Sequence, residues 1–129
     1  LDQVTAPNFS LLFDTCHAYN CALGHRHIEA GCKLEGSVNE FIDMVAGRIG
    51  LVHLIDCDGT LNDTGTSTHA PFGDGNIDFD SVIPHLLNEG GYKGDWWAID
   101  LCEWPNAWAV TEDCFKFVDA LNKKYCKDC

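Results

Sequence analysis

Apolar residues fall along this chain in two alternating patterns. Short unbroken apolar runs at residues 11–14, 51–55 and 96–101 have the length and continuity of strands buried on both faces. Between and after them, apolar residues recur at helical spacing. Val38, Phe41, Ile42, Val45 and Ile49 predict an amphipathic helix over 36–49, and Gly50 leads from it into the second strand. Phe79, Val82, Ile83, Leu86 and Leu87 predict another, capped by Asp78 or Asp80 and stopped by Gly90-Gly91. Pro84 is tolerable only near the start of that helix. Cys114, Phe117, Val118 and Leu121 predict a last helix over 111–125, with Thr111 as its cap. Residues 59–76 are rich in Gly, Thr, Asp and Asn, which predicts a long loop of the kind that usually carries function.

The order is therefore βα, βα, βα, an α/β chain with parallel strands. Each strand ends in a metal-competent side chain. Asp14 and His17 follow the first, His53 ends the second with Asp56 just beyond, and Asp100 ends the third. Taken singly, each is an ordinary cap, turn or loop residue. Together they lie where (β/α)8 barrels build their sites, at the carboxyl ends of the strands. A mixed carboxylate and imidazole set suits Mn²⁺ first and Zn²⁺ second, ahead of the all-oxygen preference of Mg²⁺. His69, in the long loop, is a further candidate for the site. His25 and His27 read as surface imidazoles. Trp104 and Trp108 follow the third strand closely, where an aromatic plane stacks on the apolar face of a sugar ring.

Composition narrows the partners. The 129 residues are 46% hydrophobic and 22% charged, as expected of a single domain over 1–129. Twenty acidic residues against eight basic ones leave a net charge of −12 and no Lys/Arg cluster, which disfavours nucleic acid and favours a neutral polar substrate or a cation. No apolar run reaches membrane-spanning length, so no membrane is expected. Several of the eight cysteines sit in or beside apolar elements. Cys16, Cys57, Cys102 and Cys114 are expected to be reduced and at least partly buried, in a cytoplasmic protein. The spacing of Cys126 and Cys129 is compatible with a metal or a disulfide, but stands alone.

Several stretches resemble one family. Phe13-Asp14-Thr15-Cys16-His17-Ala18 is similar to the sixth-strand motif of the xylose-isomerase-like TIM-barrel superfamily. This group contains sugar epimerases and isomerases, inosose dehydratases and zinc-type apurinic endonucleases. Val52-His53-Leu54-Ile55-Asp56 is similar to its seventh strand. The stretch from His69 through Gly73-Asp74-Gly75-Asn76-Ile77-Asp78-Phe79 resembles its Gly-x-Gly-x-Ile-Asp-Phe signature, and Gly91-Tyr92-Lys93-Gly94-Asp95-Trp96 leads into an eighth strand. The resemblance implies the last three βα units of a TIM barrel, from strand six to helix eight. It implies Asp14 and His53 as metal ligands and His17 as a ligand to substrate or a second metal. Asp100 takes the place of an eighth-strand glutamate that is one methylene longer. Strands one to five, with a fifth-strand glutamate ligand, are missing from this chain. Open strand edges predict completion by an N-terminal half-barrel chain or by self-association.

The expected activity is isomerisation or epimerisation of a sugar by proton abstraction next to a carbonyl, with His17 and Asp100 as the catalytic pair. A sugar lyase, either a dehydratase or a deglycosidase, starts with the same step. A non-catalytic subunit is the alternative favoured by the shortened Asp100. The endonuclease branch shares Asp14, His17 and His69, but Ser67 stands where that branch has an aspartate, and the charge opposes DNA.

Overall fold

The computed structural model describes residues 3–4, 6–25 and 33–126; His27 and Cys129 lie outside them. The elements run β1 (Leu11–Asp14), α1 (Thr15–Ala22), α2 (Ser37–Met44), β2 (Ile49–Leu54), α3 (Phe79–Asn88), β3 (Trp97–Ile99) and α4 (Ala107–Tyr125). The strands form one parallel sheet in the order β1-β2-β3. This is the βα succession of part of a TIM barrel.

Side chains alternate across the sheet. Phe13, Val52 and Leu54 point to the helical side and are buried with Val38, Ile42, Val82, Ile83, Leu86, Val118 and Leu121. Burial of each such side chain stabilises the fold by about 1.5–3 kcal/mol. By the same alternation the other face carries Leu12, Asp14, His53, Ala98 and Asp100. Among the described residues, β1 and β3 each pair on one side only.

Three elements differ from the sequence reading. Helix α1 was not expected, because Thr15-Cys16-His17-Ala18-Tyr19-Asn20-Cys21-Ala22 shows no apolar stripe. Its buried polar residues are held by hydrogen bonds instead. The Thr15 hydroxyl donates to the Ile55 carbonyl at 2.6 Å and accepts the Ile55 amide at 2.9 Å, fastening α1 to the end of β2. Helix α2 ends at Met44 and does not reach Ile49. Gly47, at φ +73°, turns the chain, and Ile49 becomes the first residue of β2. Helix α4 starts at Ala107, after Asn106 in the left-handed region, so Thr111 lies inside it and donates to the Ala107 carbonyl at 2.9 Å.

Asp78, not Asp80, caps α3, accepting the amides of Asp80 and Ser81. Pro84 sits inside α3 and leaves the Asp80 carbonyl without its helical donor; the Tyr125 hydroxyl of α4 donates to the Asp80 carboxylate at 2.8 Å and lies 3.4 Å from that carbonyl oxygen. The long loop is partly ordered by antiparallel bridges between Asp56 and Ala70 and between Leu61 and Ser67, which return Ser67 and His69 to the strand ends.

Among the described residues Cys16, Cys57, Cys102 and Cys114 are free thiols. Cys16, Cys57 and Cys114 are buried as expected, but Cys102 is exposed. It lies in the turn after β3, where its amide donates to Asp100 Oδ1 at 3.0 Å. No described helix is long and apolar enough to cross a membrane.

Candidate metal centre

The β1–β2 register sets Asp14 beside His53. Asp14 is also the N-cap of α1. Its Oδ1 accepts the His17 amide at 2.9 Å, which fixes the carboxylate and turns Oδ2 toward His53 Nδ1, 3.4 Å away. Asp100, one residue past β3, approaches the same nitrogen, with Oδ2 at 3.1 Å. Two carboxylate oxygens thus converge on one imidazole nitrogen, a concentration of negative charge that a cation would relieve.

His69 enters from the loop. Its Nδ1 lies 3.1 Å from the Asp100 carbonyl and 3.5 Å from Asp100 Oδ2. A carbonyl oxygen only accepts, so Nδ1 carries the proton and Nε2 presents a lone pair. That Nε2 is buried and has no hydrogen-bond partner. The His17 ring meets His69 edge-on, with centroids 5.1 Å apart, and His17 Nδ1 lies 3.2 Å from Ser67 Oγ.

Two ligand sets result, Asp14-His53-Asp100 and Asp14-His17-His69, each with donor atoms within 4.8 Å of one another. Asp14 belongs to both. The residues fit a divalent ion on two counts: imidazole and carboxylate suit Mn²⁺ and Zn²⁺, and the orphaned His69 Nε2 is a ligand atom lacking a partner. The hydrogen bond from His69 Nδ1 to a backbone carbonyl is the usual outer support of a metal-bound histidine.

The sequence-singled residues divide clearly. Asp14, His17, His53, His69 and Asp100 come together. Asp56 stays away from them. Its buried carboxylate accepts the amides of Cys57 (2.8 Å) and Ile77 (3.1 Å) on Oδ1, and of Gly73 (2.9 Å) and Gly75 (3.2 Å) on Oδ2. It organises the glycine-rich loop. Trp104 borders a hollow of about 330 Å³ with Ser67, Thr68, His69 and Glu103. Trp108 is 89% exposed and borders another hollow, of about 370 Å³, that also reaches Asp100. His25 is exposed, as expected. The sequence reading overlooked Thr15, whose position directly after a strand-end Asp was the available signal, and the contact of Ser67 with His17.

The chain has been compared with known proteins. It is 36% identical over 77 residues to "Probable endonuclease 4" of Methanoculleus marisnigri; the match covers 60% of this chain and 26% of that protein. The chain thus spans about a quarter of this relative's length. No solved structure matches. The completing chain expected from the open strand edges finds no support in these similarities. The sequence pattern described as xylose isomerase-like TIM barrel matches residues 1–119, nearly the whole chain. With its parallel βα units and its carboxylate–imidazole cluster at the strand ends, the chain belongs to the xylose isomerase-like TIM barrel family.

Proposed function

We propose that this protein is a divalent-metal-dependent enzyme that moves a proton next to the carbonyl of a sugar, as an isomerase or epimerase. The observation that carries the reading is the convergence of the Asp14 and Asp100 carboxylates on His53 at the strand ends, with His17 and His69 beside them. Asp14, His53 and Asp100 hold the ion, with Mn²⁺ preferred and Zn²⁺ next. When bound, the ion polarises a carbonyl and its neighbouring hydroxyl. His17 and Asp100 are the groups that take and return the substrate proton. His17 is half-buried and keeps one ring nitrogen on Ser67, so the same imidazole orients the substrate. The 330 Å³ hollow beside His69 takes the sugar, with Trp104 against its apolar face. The free thiols fit a reducing compartment, the cytoplasm.

A second reading is metal-dependent cleavage of nucleic acid. It is favoured by the similarity to a protein named as an endonuclease and by the sharing of Asp14 between two ligand sets, as in two-metal sites. Charge-based exclusion of nucleic acid therefore does not stand alone. Against this reading are the net charge of −12 and Ser67, a neutral residue beside His17.

One experiment separates them. The Mn²⁺-loaded protein is incubated in deuterated water with a panel of ketoses and oxidised sugars and followed by NMR, and in parallel with duplex DNA bearing an abasic site. Deuterium incorporation next to the carbonyl, lost in His17→Ala, supports the first reading. Loss of the neighbouring hydroxyl group would instead mark the lyase variant of it. Strand cleavage without deuterium incorporation refutes it in favour of the second.

A further inference from the structure

Cys16 and Cys57 meet beside the metal centre. Cys16 lies in the first turn of α1, between Asp14 and His17; Cys57 opens the loop after β2. Both are 0% exposed. Two donors reach the Cys57 sulfur, the Asn20 side-chain amide at 3.1 Å and the Gly59 backbone amide at 3.3 Å. Asn20 Nδ2 also lies 3.8 Å from Cys16 Sγ, so one amide spans both sulfurs. The other end of that amide, Oδ1, is buried without a partner. A neutral thiol is a weak acceptor, and two amide donors on one buried sulfur are the surroundings of a thiolate. In keeping with this, the Cys16 thiol holds the Cys57 thiol below its ordinary range, although burial opposes it.

We propose that Cys16 and Cys57 form an oxidisable thiol pair that closes to a disulfide and weakens the metal centre. The oxidant is a peroxide. The Cys57 thiolate attacks the O–O bond; an S–O bond forms, hydroxide leaves, and Cys57 becomes a sulfenic acid. The Cys16 sulfur then attacks the Cys57 sulfur. The S–S bond forms, the S–O bond breaks, and the oxygen leaves as water with the Cys16 proton. Two thiols lose two electrons and one peroxide gains them. The loop carrying Thr68, whose carbonyl accepts the Cys16 thiol at 3.4 Å, shields the pair. Oxidation therefore waits on opening of this loop and is slower than at exposed Cys102.

Closing an S–S bond of about 2.05 Å draws the sulfurs inside hydrogen-bond contact. Cys16 is held between Asp14, a proposed ligand, and His17, a proposed catalytic group, so that movement reaches both directly. The disulfide is independent of the proposed function, whereas its effect on the metal rests on it. Disturbing the support of ligands weakens metal binding about 10–100-fold.

The whole chain is treated with hydrogen peroxide, the remaining thiols are alkylated in denaturant, and the peptides are weighed. The expected product joins the Cys16 and Cys57 peptides. The same sample binds Mn²⁺ at least about tenfold more weakly by calorimetry, and dithiothreitol restores it. In Cys16→Ser the reaction stops at a Cys57 sulfenic acid that dimedone traps. Cys57→Ser, which leaves Cys16 as an alkylatable thiol, is the control should the first variant fail to fold. Recovery of both thiols in alkylated form after complete oxidation of Cys102 overturns the pair. A disulfide that leaves the Mn²⁺ affinity unchanged overturns the coupling. If the reduced protein binds no metal, the metal reading fails, and the peptide masses still decide the disulfide.

Discussion

Replacing Asp56 with asparagine is expected to destabilise the protein by about 3–6 kcal/mol. Asp56 is 2% exposed, and each of its oxygens accepts two backbone amides. Asparagine keeps one oxygen and turns the other into an NH₂ donor. Whichever orientation it adopts, two backbone amides then face a donor. Each hydrogen bond to a charged acceptor is worth about 1.5–3 kcal/mol, which gives the total for the two that are lost. At about 4 °C per kcal/mol the melting temperature falls by roughly 12–24 °C. Urea and thermal unfolding followed by circular dichroism measure both quantities. Asp58→Asn is the matched control. Asp58 is exposed and accepts the amide and hydroxyl of Thr60, so its replacement should stay within about 1 kcal/mol. Gly75→Ala attacks the same buttress from the other side, because its Cβ would lie 2.2 Å from Asp56 Oδ1. An Asp56→Asn protein within about 1 kcal/mol of the wild type would refute the role of this carboxylate as organiser of the loop.

Asp14→Ala should abolish Mn²⁺ binding measured by calorimetry, since Asp14 belongs to both ligand sets, whereas His69→Ala should leave the Asp14-His53-Asp100 set and a weaker single site. Equal retention in both variants would contradict the shared ligand. Burial pushes the Tyr92 hydroxyl, which donates to the Trp96 carbonyl, above its ordinary range. The fold thus favours the neutral phenol; its contribution is complete below the unfolded value of about 10 and declines as pH rises from there toward the folded value. Tyr92→Phe should flatten this alkaline decline, as read from denaturant midpoints at stepped pH. Trp104→Ala should weaken sugar binding more than it lowers the melting temperature, and Trp108→Ala, at a position 89% exposed, should barely alter stability.

The strands and the last two helices were legible because their apolar residues follow a regular period. Phe13, Val52 and Leu54 face the helices, and the positions between them carry Asp14 and His53, so the strand-end residues declare both register and site. Helix α1 was not legible. Its buried positions are Thr15, Cys16 and Asn20, held by hydrogen bonds that join residues far apart in sequence. Asp56 was misleading for the opposite reason. It too is a carboxylate just past a strand, and only the fold shows that four backbone amides occupy it. Cys102 lies near an apolar run but beyond the last residue of β3, where the turn exposes it. Ser67 was legible as a substitution, whereas its contact with His17 depends on the loop folding back through the Leu61–Ser67 bridge.

One carboxylate, that of Asp14, both caps α1 and reaches toward His53. If this site takes the proposed cation, its occupancy and fraying of the first turn of α1 are linked equilibria. An ion held by this carboxylate would restrain the torsions that also keep Oδ1 on the His17 amide, so that amide should exchange with deuterated solvent more slowly in the loaded protein. The linkage is reciprocal: a sequence change that loosens the turn raises the concentration of ion needed to fill the centre. Helix α1, short and without an apolar stripe, would then be the part of the fold whose opening frequency reports directly on the cation.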